Sequence, residues 1–229
     1  GHCEASQIEA GGDVIIRKGC QGKGLGKIIA GKSIVGQFFE SAVLTAGKDV
    51  QATYLLNCQL KANGKLLVEG RKGVIIGGKT CAKLGVSCNG IGNIAEIATV
   101  VSVGIDKEDM TAYQELQKKI EQTQAELQTC ENGLNKLMAN PVHDEKVSMM
   151  IQRLTRAVYT LKSSRKELFS ERDAQMEQMT KQKEARIQVS GRVYPGTLLF
   201  LNEDPFAIKE IYNNVEFVKH DNRIDTLAH

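Results

Sequence analysis

Large aliphatic residues return at a fixed place along the first part of the chain. Ile8, Ile28, Leu44, Leu60 and Ile75 each stand two positions before a small residue, Ala10, Ala30, Ala46, Ala62 or Gly77. Gly11, Gly31, Gly47, Asn63 and Gly78 follow at once, and Val14, Ile34, Val50, Leu66 and Cys81 come three residues later. The spacings between these corners are 20, 16, 16 and 15 residues, so the segment is an internal repeat, and the repeat decides the architecture before any single motif does. Within a period the pattern alternates: Ala42, Leu44 and Ala46 point one way, Val43 and Thr45 the other. Period two is strand geometry. Short strands punctuated at this interval predict a parallel β-helix, one rung per repeat, with like residues stacked about 4.8 Å apart. Glycine or Asn63 is expected at the corner because both tolerate positive φ.

The pattern changes at Lys107. Tyr113, Ile120, Leu127 and Leu134 recur every seven residues, as do Leu116, Thr123, Cys130 and Leu137, which is an a/d seam. After Asn140-Pro141 a second seam carries Val147, Leu154, Leu161 and Leu168, with Ile151 and Val158 between; Arg165, Arg172 and Gln175 weaken its far part. The short break predicts an antiparallel helical hairpin over 107–186, with arms of roughly 33 and 43 residues. Met149 and Met150 lie near its tip, where packing within the hairpin is the ordinary reading and a partner contact the functional one. Residues 1–106 are read as the rungs, with Gly19, Gly22, Gly24 and Gly26 in a loop bulging from the first. Residues 187–229 return to strand as a final rung, Gly191 matching Gly73 and Gly196 matching Gly78. A β-hairpin around Asn213-Asn214 is expected to cap the coil. The first rung presents an open strand edge.

Two stretches match the phosphate-loop motif, Gly26 to Ser33 and Gly73 to Thr80. Neither continues as a helix: Ile34-Val35-Gly36-Gln37-Phe38-Phe39 and Cys81-Ala82-Lys83-Leu84-Gly85 carry no helical stripe, and the third copy, Gly47-Lys48-Asp49, lacks the magnesium-ligating hydroxyl. The matches are therefore read as rungs and the nucleotide hydrolase is set aside. Lys32, Lys48 and Lys79 are expected to stack along one corner, as a solubilising ladder or a weak surface for an anionic partner. The net charge of +3 is slight; the basic excess sits in 1–106, with 12 basic and 8 acidic side chains, so composition points to no polyanion.

Cys3, Cys20, Cys58, Cys81, Cys88 and Cys130 show no metal-ligand spacing and are read as small buried hydrophobes, Cys81 in the aliphatic column. His2, His143, His220 and His229 add no ligand set, so no metal and no cofactor is expected. Few aromatic residues and no basic helix argue against nucleic acid. No apolar run reaches a membrane span and no signal peptide is visible. Gly1-His2 in place of an initiator Met reads as an artificial start, so a fragment is expected.

The run Phe38-Phe39-Glu40-Ser41-Ala42-Val43-Leu44-Thr45-Ala46-Gly47-Lys48-Asp49-Val50 resembles the flagellar assembly protein A family, as does Arg71-Lys72-Gly73-Val74-Ile75-Ile76-Gly77-Gly78. Asn89-Gly90-Ile91-Gly92 and Val193-Tyr194-Pro195-Gly196 carry the same resemblance, which covers nearly the whole chain. It implies a mainly β fold: a single-stranded right-handed parallel β-helix with an inserted coiled coil and a β cap, distantly similar to the C-terminal domain of the septum-placement protein MinC and to bactofilins. It also implies a cytoplasmic bacterial protein without known enzymatic activity, self-association through a face or end of the coil, and a further N-terminal domain in most members.

No catalytic constellation stands out. The expected function is a non-enzymatic scaffold linked to flagellar assembly or placement, with protein partners that the sequence does not identify. The competing reading is a module that binds an anionic ligand or phosphorylated partner on the coil.

Overall fold

The computed structural model describes residues 2–139, 144–221 and 223–228. Its β part is a parallel coil whose turns run through three faces. The strands Val14–Ala30 and Ile34–Ala46 each bend around all three; later turns divide into Val50–Ala52, Tyr54–Ala62, Leu66–Val68, Val74–Ala82 and Val86–Ile91. Residues on the same face pair in register. On the first face Ile8, Ile28, Leu44, Leu60, Thr80, Val101 and Leu199 stack in that order, and Ala10, Ala30, Ala46, Ala62, Ala82, Val103 and Leu201 form the neighbouring inward column. Val14, Ile34, Val50, Leu66, Val86 and Ile187 stack on the second face. Cys3, Cys20, Phe39, Leu55, Ile75, Ile91 and Val193 stack on the third. These columns are the core. Ile28, Ile34, Leu44, Ile75 and Ile187 are fully buried, each contributing about 1.5–3 kcal/mol by leaving water.

The registers correct the expected alignment at its last member. The corner column is Gly11, Gly31, Gly47, Asn63 and then Lys83, whose amide donates to the Ala62 carbonyl as the earlier ones do to Ala10, Ala30 and Ala46. Gly78 instead pairs with Cys58. The cause is local. Between the second and third faces Thr53 alone spans the corner in one turn, whereas residues 69–73 span it in the next. Those four extra residues stretch the period, and Gly78 arrives one corner early. Cys81 consequently pairs with Lys61 and Ser102 and faces outward, half-buried, outside the aliphatic column. Gly191 is level with Gly73 as expected; Gly196 is level with Gly77, one residue from the expected match.

The corner glycines also serve a different purpose from the one expected. Neither Gly31 nor Gly47 has positive φ. A Cβ on Gly47 would be driven into the Gly31 carbonyl oxygen, and one on Gly31 into that of Gly11, so close stacking of backbone selects glycine there. Left-handed residues form another corner, between the third and first faces: Ser41 (φ 47°), Asn57 (φ 50°) and Gly77 (φ 68°) lie level with one another. The first turn widens at this corner. Its register shifts between Gln21 and Gly26, where residues 22–25 bulge, and also between Ile16 and Gly19, while Gly19 itself pairs with Phe38 inside a strand.

The far end of the coil is closed by antiparallel strands. Asp204–Ala207 turns back on Thr197–Leu201, and Tyr212–His220 runs antiparallel to Ile187–Val193 and pairs with Arg223–Ala228. Asn213 and Asn214 lie within a strand and do not form the expected turn; the reversal falls after His220. Phe206, Tyr212 and Phe217 meet with ring centroids 5.6–6.4 Å apart and cover the last turn.

Candidate interaction surfaces

The Gly-Lys segments are strand and corner, never the head of a helix. Ser33 precedes the strand Ile34–Ala46, and its amide, the group a phosphate would need, already donates to the Asp13 carboxylate at 2.9 Å. Asp49 accepts the Lys65 amide at 2.7 Å in the same way. Thr80 lies inside Val74–Ala82 with its side chain turned to the core, 1% exposed. No phosphate cradle exists here.

Lys32 and Lys48 do stack: the Lys48 amide donates to the Lys32 carbonyl at 3.0 Å. The next members of that column are Gly64 and Leu84. Lys79 stands in the middle of the first face between Gln59 and Val100, so the three lysines form no single ladder. The added residues at 69–73 account for its displacement.

Between Val103 and Ile187 the chain leaves the coil as two helices, α1 (Lys107–Met138) and α2 (Glu145–Lys183). Val103 pairs with Ala82 and Ile187 with Val86, so the whole insertion occupies the corner that Lys83, Leu84 and Gly85 fill one turn earlier. Its root is held by polar contacts within the coil. Asp106 lies 3.9 Å from the Lys61 ammonium and 4.0 Å from that of Lys83, the latter nearly buried. Arg186 pairs with the buried Glu216 at 3.1 Å.

Residues 107–178 form a compact unit of their own. Leu116, Ile120 and Leu127 of α1 and Val158 of α2 are buried along the seam. Glu131 and Lys162 pair across the helices at 2.8 Å, as an antiparallel hairpin requires. The helices have 32 and 39 residues, about 48 and 59 Å long at 1.5 Å per residue. Asp144 caps α2 by accepting the Val147 amide at 2.8 Å. The turn around Asn140-Pro141 and His143 lie outside the described residues. Met149 and Met150, in the second turn of α2, are 50% and 56% exposed. Where Gln175 takes a seam position, the hairpin opens into a crevice of about 440 Å³ lined by Ala112, Leu116, Ala174 and Gln175.

The thiols are ordinary core groups where they face inward. Burial pushes Cys88 up to about 12 and, with the adjacent Cys3, Cys20 up to about 11; Cys58 is also raised by burial. A thiol so protonated is neither nucleophile nor ligand at neutral pH. Among the described residues no group of His, Cys, Asp and Glu converges to hold a metal, and no helix is long and apolar enough to cross a membrane.

One further surface was not singled out from the sequence. Phe38, Tyr54 and Val74 stack on the outside of the third face, beside Leu56 and Ile76, all five half-buried. Alternation places them outward as surely as it places Phe39, Leu55 and Ile75 inward.

No curated protein and no solved structure matches the chain. The family model for the Flagellar Assembly Protein A β-solenoid domain matches residues 1–224. With a three-faced parallel coil, a helical hairpin inserted at one corner and a family match over nearly its full length, the chain belongs to the FapA β-solenoid family.

Proposed function

We propose that the protein is a non-enzymatic cytoplasmic scaffold of flagellar assembly or placement, in which the coil is a rigid mount and the helical hairpin the arm that engages a protein partner. The observation that carries this reading is the single-corner insertion: the coil keeps its register on both sides of the inserted hairpin, from Ala82 over Val103 on one face and from Val86 over Ile187 on the next. A long hairpin mounted without disturbing the stack is free to serve contact. The exposed Met149 and Met150 fit an adaptable apolar contact. Family membership supports the flagellar connection. The anionic-ligand alternative loses its three-lysine ladder, because Lys79 stands away from Lys32 and Lys48.

The test is affinity capture from cells of the source organism, with bound proteins identified by mass spectrometry. The full chain is compared with a Met149→Glu/Met150→Glu variant and with a chain whose residues 104–186 are replaced by Lys-Leu-Gly, the sequence of the preceding corner. Capture of a defined flagellar or polar protein by the full chain, and its loss from both variants, supports the arm. Equal capture by all three overturns it.

A further inference from the structure

Four of the six cysteines have no thiol beside them in their columns. Cys58 pairs with Gly78, Cys88 with Val68 and Val189, and Cys81 with Lys61 and Ser102, while Cys130 lies in α1. Cys3 and Cys20 are different: they pair residue to residue, in register, between the parallel strands His2–Glu4 and Val14–Ala30. Both side chains turn inward. Cys20 is fully buried beside Phe39, and the half-buried Cys3 packs against the same core. Two thiols therefore face each other at the first step of the third-face column.

Paired strands stand about 4.8 Å apart, which puts the two Cα atoms within the roughly 4.4–6.8 Å that a disulfide spans. The side chains leave the same face of the sheet, as such a bond requires. Cys20 already feels its neighbour: after burial, the charge and the hydrogen bond of the Cys3 thiol push it up to about 11. The strand His2–Glu4 has three residues and, among the described residues, pairs with no strand but Val14–Ala30, so a small adjustment of Cys3 costs little.

We propose that Cys3 and Cys20 are a two-electron redox site, which a hydroperoxide oxidises to a reversible disulfide. Cys3, the more accessible thiol, reacts first. Its sulfur bonds to one peroxide oxygen, the O–O bond breaks, and the thiol proton leaves with the other oxygen as water. The Cys20 sulfur then displaces the hydroxyl of the Cys3 sulfenic acid, and the Cys20 proton leaves with that hydroxyl as a second water. Two thiols and one hydrogen peroxide thus give one disulfide and two waters, and a dithiol reductant reverses the reaction. Cys20, protonated at neutral pH, does not begin the sequence. It is the resolving thiol, and being held against the sulfenic acid offsets its low thiolate fraction. The bond closes a loop of residues 4–19 and ties His2–Glu4 covalently to the next turn. In a reducing compartment such a bond is transient, so the pair acts as an oxidant sensor and not as a permanent staple. None of this rests on the scaffold reading, which concerns the arm.

The test treats the full chain, reduced and freed of reductant, with hydrogen peroxide, blocks remaining thiols with N-ethylmaleimide and maps the peptides by mass spectrometry. Trypsin cuts after Arg17 and Lys18, between the two cysteines, so the link joins peptides that otherwise separate. The expected product is a Cys3–Cys20 linked chain, lighter by two hydrogens, that dithiothreitol returns to the starting mass. Amide hydrogen exchange over residues 2–10 should slow about tenfold in the linked form. Cys20→Ser should stop at the Cys3 sulfenic acid, which dimedone traps. Cys3→Ser, a change at a half-buried position, should leave Cys20 unmodified and supplies the comparison if the buried Cys20→Ser fails to fold. Absence of a Cys3–Cys20 link in the parent, or a link from Cys20 to Cys58 formed as readily, overturns the proposal. Oxidation of Cys20 in the Cys3→Ser chain overturns the order of attack. A link that leaves exchange over residues 2–10 unchanged overturns the sensor, because the bond then constrains nothing.

Discussion

The side-chain oxygen of Asn202 accepts the backbone amide of Ile105 at 2.9 Å, across 97 positions of sequence. Its amide nitrogen donates to the Lys183 carbonyl at 3.2 Å. One side chain therefore ties the departing and returning ends of the insertion to the last turn of the coil. Asn202 is also the first of two left-handed residues in the turn before Asp204–Ala207 (φ 50°, then φ 71° at Glu203), a conformation asparagine tolerates well.

Asn202→Ala should cost about 2–4 kcal/mol in denaturant unfolding, from the orphaned, nearly buried Ile105 amide and from alanine in a left-handed position. Asn202→Asp keeps the acceptor and should lose less. Hydrogen exchange at Ile105 separates the two contributions, because Asn202→Gly relieves the backbone but still accelerates exchange there.

Gly47 and Gly12 sit in the same stack of corners under opposite constraints. A Cβ on Gly47 runs into the Gly31 carbonyl oxygen, whereas one on Gly12 meets nothing within 4 Å. Gly47→Ala should destabilise the coil by about 1–3 kcal/mol as the corner is forced apart. Gly12→Ala should be neutral or slightly stabilising, because only the unfolded chain loses freedom. Equal melting temperatures for the two would show that close backbone approach does not govern this corner.

The rungs were legible because Ile28, Leu44 and Leu60 recur with Ala30, Ala46 and Ala62, and such columns need only period-two alternation to be recognised. The fourth spacing was not. Gly77-Gly78-Lys79 imitates the Gly-Lys corner locally, while the true corner, Lys83-Leu84-Gly85, has lost its leading glycine. A residue pattern cannot show that residues 69–73 take the place of Thr53; only strand pairing does. The outer strip on the third face stayed hidden for a related reason. Phe38-Phe39 and Tyr54-Leu55-Leu56 read as continuous apolar runs, and burial of alternate members is decided by how the turn closes.

Lys79 carries a direct test of the nucleotide reading. It projects outward from a strand between Gln59 and Val100, and Thr80 behind it is turned to the core. Lys79→Ala should change stability by less than about 0.5 kcal/mol, as exposed substitutions do. Magnesium and ATP should leave the melting temperature of parent and variant alike unchanged. A rise with nucleotide in the parent that Lys79→Ala removes would contradict the fold as described.

The buried thiols give the coil an alkaline limit. Cys88 is raised from an ordinary 9.0 to about 12, because burial disfavours the thiolate. Cys20 is raised to about 11 by burial and then by Cys3, its partner in the neighbouring strand. A raised folded-state value means that the folded chain holds its proton where the unfolded chain has lost it. The contribution to stability is therefore complete below pH 9 and declines as pH climbs toward 11 for Cys20 and 12 for Cys88, by at most about 1.4 kcal/mol per pH unit for each thiol. Cys88→Ala should lower stability at pH 7 through the small cavity it leaves, yet flatten the decline above pH 9. Urea unfolding at about pH 7, 9 and 10.5 measures both effects, and parallel slopes for parent and variant would mean that Cys88 is not shielded as its burial requires.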